Sequence, residues 1–237
     1  MGNILSATLT YVSVLERFFT GIPINWSQQF SEQLNVNTEV YTIGHSDHSI
    51  ASFIEHLQRN RITALADVRS SPYSRMQPQF NRESLNLELQ LNNIAYVFLG
   101  KELGARTEQL ECYVNGKVQF DILARQPLFL HGIDRVIHGL AQHNIALMCS
   151  EKEPLNCHRA ILVARQLYSR GITVKHILYD GSIELHQDLE KRLLKSLKME
   201  PDLFRSESEI IVDAYEKWGD RIAYVADVSD NEEWPTK

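Results

Sequence analysis

The sequence predicts an α/β fold: a mostly parallel sheet of about five strands flanked by helices, in three layers of the Rossmann or flavodoxin kind. Three observations carry this. Short apolar, β-branched runs alternate along the chain with stretches of helical periodicity. Most of the runs are apolar nearly throughout, as strands covered on both faces are. Most end at a glycine or a polar residue, and reactive side chains gather just beyond those stops.

Val40–Ile43 is the first run, stopped by Gly44. Ser49 opens a helix with Phe53, Ile54 and Leu57 on one face. Ile62–Ala66 is the second strand and ends at Asp67. A polar loop with Pro72 and Pro78 follows, then a helix over Leu85–Leu91 with Leu85, Leu89 and Leu91 turned inward. Ile94–Leu99 is the third strand, stopped by Gly100, and Lys101–Asp121 reads as irregular. Leu128–Gln142 is an amphipathic helix, Ile145–Cys149 the fourth strand, and a helix starting near Cys157 runs to Tyr168. Thr173–Leu178 is the fifth strand, and Ile183–Leu197 reads as a charged helix. Residues 1–37 are expected to be an extension with a short helix over Thr10–Phe19, residues 38–180 the α/β domain, and residues 181–237 a helical extension. That last segment should hold a helix around Ile210–Trp218 and end in a mobile acidic tail.

Composition narrows the function. A net charge of −6 argues against a broad face for duplex DNA but leaves room for a local cationic pocket. No apolar run approaches the roughly 18 residues that span a bilayer. There is no signal-peptide pattern, and three cysteines make no disulfide framework, so a cytoplasmic protein is expected. The sequence has no G-x-G-x-x-G, Walker A, G-x-S-x-G or H-E-x-x-H motif, which weakens the dinucleotide, P-loop, serine-hydrolase and zincin readings.

In an open α/β sheet, ligands bind beyond the carboxyl ends of the strands. Gly44, His45 and Ser46 follow the first strand; Asp67, Arg69, Ser74 and Arg75 follow the second; Cys149 and Glu151, then Cys157, His158 and Arg159, follow the fourth. Cys157 is expected in the first turn of a helix, where the unpaired N–H groups favour a thiolate, with Arg159 beside it. Against this stands the plain reading of Cys149 as a small buried hydrophobe and Cys157 as incidental. His158 is a candidate base or metal ligand, or a helix-start residue bonded to a loop. Asp67 is a candidate acid–base group or an arginine's partner. Arg69, Arg75 and Arg159 are candidates for an anion-binding fork, or for ion pairs with Asp67 and Glu151 that pin a loop. Zinc would draw on Cys149, Cys157, His158, His45 and Asp67, but no C-x-x-C pair is present, so no metal ligand set is assigned.

The residues also carry a resemblance. Thr42-Ile43-Gly44-His45-Ser46, Asp67-Val68-Arg69 with Pro72, Ser74 and Arg75, Phe80-Asn81, Leu99-Gly100 with Leu103-Gly104, and Cys149-Ser150-Glu151 with Cys157-His158-Arg159 resemble the family catalogued as domain of unknown function 488, from about Tyr41 to Leu178. Ala105 departs from it, standing where many relatives have a second glycine. The resemblance implies an α/β fold and a site at the Asp-Val-Arg and Cys-His-Arg motifs; it supplies no reaction.

Three functions follow. The first is an enzyme taking an anionic small molecule or nucleotide, with Arg69, Arg75 and Arg159 on the anion, Cys149 or Cys157 as thiol, and Asp67, Glu151 or His158 moving protons. The second is a metal-binding protein using thiolate and imidazole, and the third a non-catalytic module for an anion or partner. Substrate, cofactor and oligomeric state are not legible in the sequence.

Overall fold

The computed structural model describes residues 38–200 and 205–226. The expected helix over Thr10–Phe19, with the rest of the N-terminal extension, and the acidic tail lie outside the described residues. The main sheet has six strands: β1 (Glu39–Gly44), β2 (Ala64–Asp67), β3 (Ala95–Phe98), β6 (Ile145–Cys149), β7 (Thr173–Ile177) and β8 (Ile183–Leu185). Their order is β3-β2-β6-β1-β7-β8, with β8 antiparallel to β7 and every other pairing parallel. A hairpin of β4 (Tyr113–Val114) and β5 (Lys117–Val118) stands apart, and an isolated bridge joins Lys117 to Val225.

β6 lies between β1 and β2, although about a hundred residues of chain separate it from β1. The chain moves one way across the sheet from β1 to β2 and β3, then returns to β6 and crosses β1 to reach β7. Right-handed crossovers in opposite directions place their helices on opposite faces. α1 (Ile50–Arg59) and α2 (Arg82–Leu91) cover one face through Phe53, Leu57, Leu85 and Leu89, which pack on Leu65, Ala146 and Met148. α5 (Pro127–Leu140), with the short α3 (Gly100–Leu103) and α4 (Phe120–Leu123), covers the other through Phe129, Ile133 and Val136, against Ala66, Leu147 and Cys149. Alternate residues of β6 therefore belong to opposite cores, as the period of two requires.

Local chemistry accounts for the element ends. Ser49 caps α1 by accepting the Ser52 N–H, and Pro127 opens α5 where no intrahelical N–H is needed. Just past the caps of α1 and α2, Arg61 and Asn93 take left-handed backbone (φ 53° and 58°), as helix ends commonly do. Ser206 and Glu209 form a reciprocal capping box that starts α8 (Glu207–Ile222), which reaches well beyond the expected Ile210–Trp218.

Four details differ from the sequence reading. Ile183–Leu185 is a strand, and α7 (His186–Leu197) starts only after it; the charges that suggested a helix lie mostly beyond that point. Leu91 is 70% exposed, because α2 turns only Leu85 and Leu89 to the sheet. β3 is an edge strand with alternating exposure, not one covered on both faces. The stretch after Gly100, read as irregular, holds α3, the β4–β5 hairpin and the start of α4.

After β6 comes a 3-10 turn (Pro154–Asn156), then a π-helical segment (Arg159–Ala164) running into α6 (Arg165–Tyr168). Leu155, Ala160 and Ile161 of this segment meet Leu189, Leu193, Ile210, Ala214 and Trp218 of α7 and α8 in a third core. The Trp218 indole N–H donates to the Leu155 carbonyl at 2.7 Å. The described part of the C-terminal segment thus braces the turn that carries Cys157 and His158. No helix among the described residues is long and apolar enough to cross a membrane.

Candidate functional site

β6 is central, so its carboxyl end is flanked by those of β1 and β2. Cys149, its last residue, is buried on the α5 face. The chain then turns out through the exposed Ser150 and Glu151 and comes back at Cys157. Cys157 is extended (φ −135°, ψ 135°), so it precedes the helix rather than lying in its first turn. Its carbonyl accepts the Ala160 and Ile161 N–H groups, and its sulfur accepts the Arg159 N–H at 3.4 Å. One N–H at the start of that segment, that of Arg159, thus still faces the sulfur.

Four side chains converge here. Oε2 of Glu151 lies 2.9 Å from the sulfurs of both Cys149 and Cys157. Nδ1 of His158 is 3.6 Å from the Cys149 sulfur. One ligand atom from each of Cys149, Glu151, Cys157 and His158 falls within 4.8 Å of all the others. His158 Nε2 is 3.0 Å from the Val68 carbonyl, which only accepts, so Nε2 bears a proton and Nδ1 is the ring nitrogen turned to the sulfurs.

The electrostatics are lopsided. Burial pushes the Cys149 thiol up, helped by its hydrogen bond to Cys157 and the nearby charge of Cys157 and Glu151. Burial also opposes ionisation of Cys157, but the hydrogen bond from Cys149 and the charges of Arg159 and His158 outweigh it and hold that thiol below its ordinary value. Burial, then the Cys157 charge, raises the Glu151 carboxyl. Burial works against charge on His158, yet Cys157 and Glu151 raise its pKa. A Cys157 thiolate and a Glu151 carboxylate at 2.9 Å would be like charges in contact; they need a proton or a cation between them.

The other candidate residues have structural partners. Arg159 is fully buried and donates to the backbone carbonyls of Glu151 (2.6 Å) and Lys152 (3.3 Å), holding the loop after β6. Arg69 is paired with Asp67 in the interior, Nη2 to Oδ2 at 2.7 Å. His45 stacks on Phe80 at 4.4 Å, and burial takes its pKa down to about 4. Ser46 takes a positive φ of 44°, and its N–H donates to the Ser150 carbonyl. Ser74 caps its own loop, its hydroxyl accepting the Gln77 N–H, and Arg75 is exposed. Of the three arginines proposed for an anion, Arg75 is the exposed one.

Gly44 lies where β1 passes the Glu151 backbone; a Cβ there would overlap the Glu151 carbonyl oxygen and come within 3.1 Å of the Arg159 guanidinium. Gly44→Ala should therefore cost about 3 kcal/mol through overpacking against backbone that cannot yield. An unchanged midpoint in denaturant titration would show that the β1–Glu151 approach is looser than this. Sequence reasoning missed Tyr96, whose hydroxyl donates to Asp67 at 2.8 Å, and the Phe80 carbonyl, which accepts from Arg69 at 2.9 Å. Nothing in a lone strand tyrosine or a loop carbonyl signals such roles; the pairing of β3 with β2 brings Tyr96 to Asp67, and the 3-10 turn Pro78–Phe80 brings the carbonyl to Arg69.

Residues 49–166 match the family model described as "Domain of unknown function DUF488", so both the Asp67-Val68-Arg69 and the Cys157-His158-Arg159 segments fall inside the match. No curated protein and no solved structure matches the chain.

Proposed function

We propose that this chain, which belongs to the DUF488 family, is a metal-binding protein that holds one divalent, thiophilic cation on Cys149, Cys157, His158 and Glu151. One observation carries the reading: two sulfurs, an imidazole nitrogen and a carboxylate oxygen, all within 4.8 Å, converge from the end of β6 and the turn that follows. Two thiolates, an imidazole and a carboxylate suit zinc better than magnesium or calcium. A ligand histidine usually donates its other N–H to a carbonyl, as His158 does to Val68. A cation would also remove the clash between Cys157 and Glu151 by replacing the shared protons. Glu151 is exposed as a residue, although its carboxyl end is buried against the two sulfurs; as the one hard oxygen donor of the four, it is the ligand that water or an anionic substrate would displace.

The test is metal analysis of full-length protein purified without an affinity tag or chelator, then titration of the stripped protein with zinc or cobalt. We expect close to one equivalent of zinc and, on cobalt loading, a thiolate charge-transfer band. Less than about a tenth of an equivalent, with no uptake on titration, would remove the metal.

A second reading is favoured by the asymmetry of the thiols. Cys157, held toward thiolate beside a protonated Cys149, would serve as a nucleophile. Of the three arginines, the exposed Arg75 would then be the one open to an anionic substrate. Metal analysis separates the two readings, since a liganded thiolate resists alkylation until the metal is stripped.

A further inference from the structure

The buried Asp67–Arg69 pair uses nearly all of its hydrogen-bonding capacity. Oδ1 of Asp67 accepts the Arg69 backbone N–H at 3.1 Å and its Nε–H at 2.9 Å. Oδ2 accepts Nη2 of Arg69 at 2.7 Å and the Tyr96 hydroxyl at 2.8 Å. Arg69 directs further donors to the Phe80 carbonyl at 2.9 Å and to Nε2 of His45 at 3.2 Å. Nδ1 of His45 donates to the Ser46 carbonyl at 2.9 Å, which leaves Nε2 as an acceptor.

A pair this buried is a poor source of stability, because desolvation consumes most of the attraction and apolar residues of the same size would serve as well. What it does well is fix geometry. The bond from the Arg69 N–H to the Asp67 side chain closes a tight loop around Val68. The Val68 N–H is anchored to the Met148 carbonyl of β6 at 3.0 Å, and its side chain is fully buried. The Val68 carbonyl is thereby held in one place, 3.0 Å from Nε2 of His158.

We infer that Asp67, Arg69, Tyr96 and His45 form a clamp that holds the Val68 carbonyl against His158, fixing the histidine as its Nε2–H tautomer with the Nδ1 lone pair on the Cys149–Cys157–Glu151 cluster. These are positioning residues, and none of them belongs to that cluster. The clamp would explain why an Asp-Val-Arg segment and a Cys-His-Arg segment about ninety residues apart serve one site. Its geometry is independent of any metal; its effect on affinity rests on the metal-binding reading proposed above.

Two variants test it, each in the full chain. Tyr96→Phe removes one hydrogen bond at the partly exposed edge of the clamp. Arg69→Lys keeps the charge but loses the planar fork. The first readout is the His158 tautomer, from long-range nitrogen–proton correlation in metal-free protein at a pH where the ring is neutral. The second is zinc affinity, by competition with a chromophoric chelator. The wild type should show the Nε2–H form. Arg69→Lys should mix the tautomers and weaken zinc about 10- to 100-fold, with Tyr96→Phe moving both readouts in the same direction by less. If Arg69→Lys fails to fold, Tyr96→Phe decides alone. A tautomer unmoved in the folded variants overturns the clamp, even where affinity falls, since the pair would then be merely structural. Should the wild type take up no zinc while the variants still shift the tautomer, the clamp stands and the metal-binding reading fails.

Discussion

Replacing both Cys149 and Cys157 by serine is expected to weaken zinc binding at least a thousandfold, about 4 kcal/mol at 1.4 kcal/mol per decade. A serine hydroxyl stays protonated near neutral pH and cannot replace the soft anionic sulfur. The fold should survive, because serine is close to cysteine in size and Glu151 Oε2, 2.9 Å from both sulfurs, can accept from the hydroxyls that replace them. Glu151→Gln should cost less, since a hard oxygen donor contributes less than a thiolate to holding a thiophilic cation and both sulfurs remain. The comparison is made by chelator competition on protein whose circular dichroism matches the wild type. Equal affinity in the double serine variant would show that zinc, if bound, sits elsewhere, and would leave the cysteines as thiols.

The second large effect is on stability against acid. Burial pushes both His45 and His186 down to about 4, from an ordinary 6.5. Burial also lowers His176, which sits between Thr42 (2.8 Å) and His186 (3.0 Å) in a buried hydrogen-bonded chain that continues to Tyr215 (2.9 Å). In the unfolded chain these rings take up protons below pH 6.5; in the folded protein His45 and His186 stay neutral until about pH 4. The unfolded state therefore binds more protons across that window, and stability falls as the pH falls through it. At about 1.4 kcal/mol per unit, His45 and His186 each remove roughly 3 kcal/mol by pH 4. Glu151 and Glu190, raised by burial, act in the opposite direction. The clean measurement is therefore a comparison: urea unfolding of wild type and His186→Gln from pH 7 to pH 4. The variant starts less stable, having broken the chain, but should show a shallower decline. Parallel declines would mean that His186 is protonated in the folded state or is not buried as described.

Much of the architecture was legible because it is local. Five main-sheet strands come from short apolar runs with clear stops, and α1 and α5 from the spacing of Phe53, Ile54 and Leu57 and of Ile133 and Ile137. β8 and the β4–β5 hairpin escaped notice because elements of two or three residues carry almost no periodicity. The site residues were legible as a set, since strand ends in an α/β fold collect function. Their division of labour was not. Arg159 in sequence resembles an anion ligand, but a guanidinium long enough to reach a phosphate also reaches two loop carbonyls.

The order of residues alone carries the α/β class, the strand-end position of Cys149 and Asp67, and the segment that matches the DUF488 family. That β6 lies between β1 and β2 emerges in the folded sheet, because strand order follows from crossover packing that no local pattern encodes. That placement brings Val68 to His158, and the turn after β6 brings Glu151 to both sulfurs. The sequence offered metal binding as an alternative, with Cys149, Cys157 and His158 among its candidate ligands, but the structure groups Glu151 with them in place of His45 and Asp67. These ligands come from a strand end and a loop that doubles back, not from a pair at fixed C-x-x-C spacing, so only folding sets their distances.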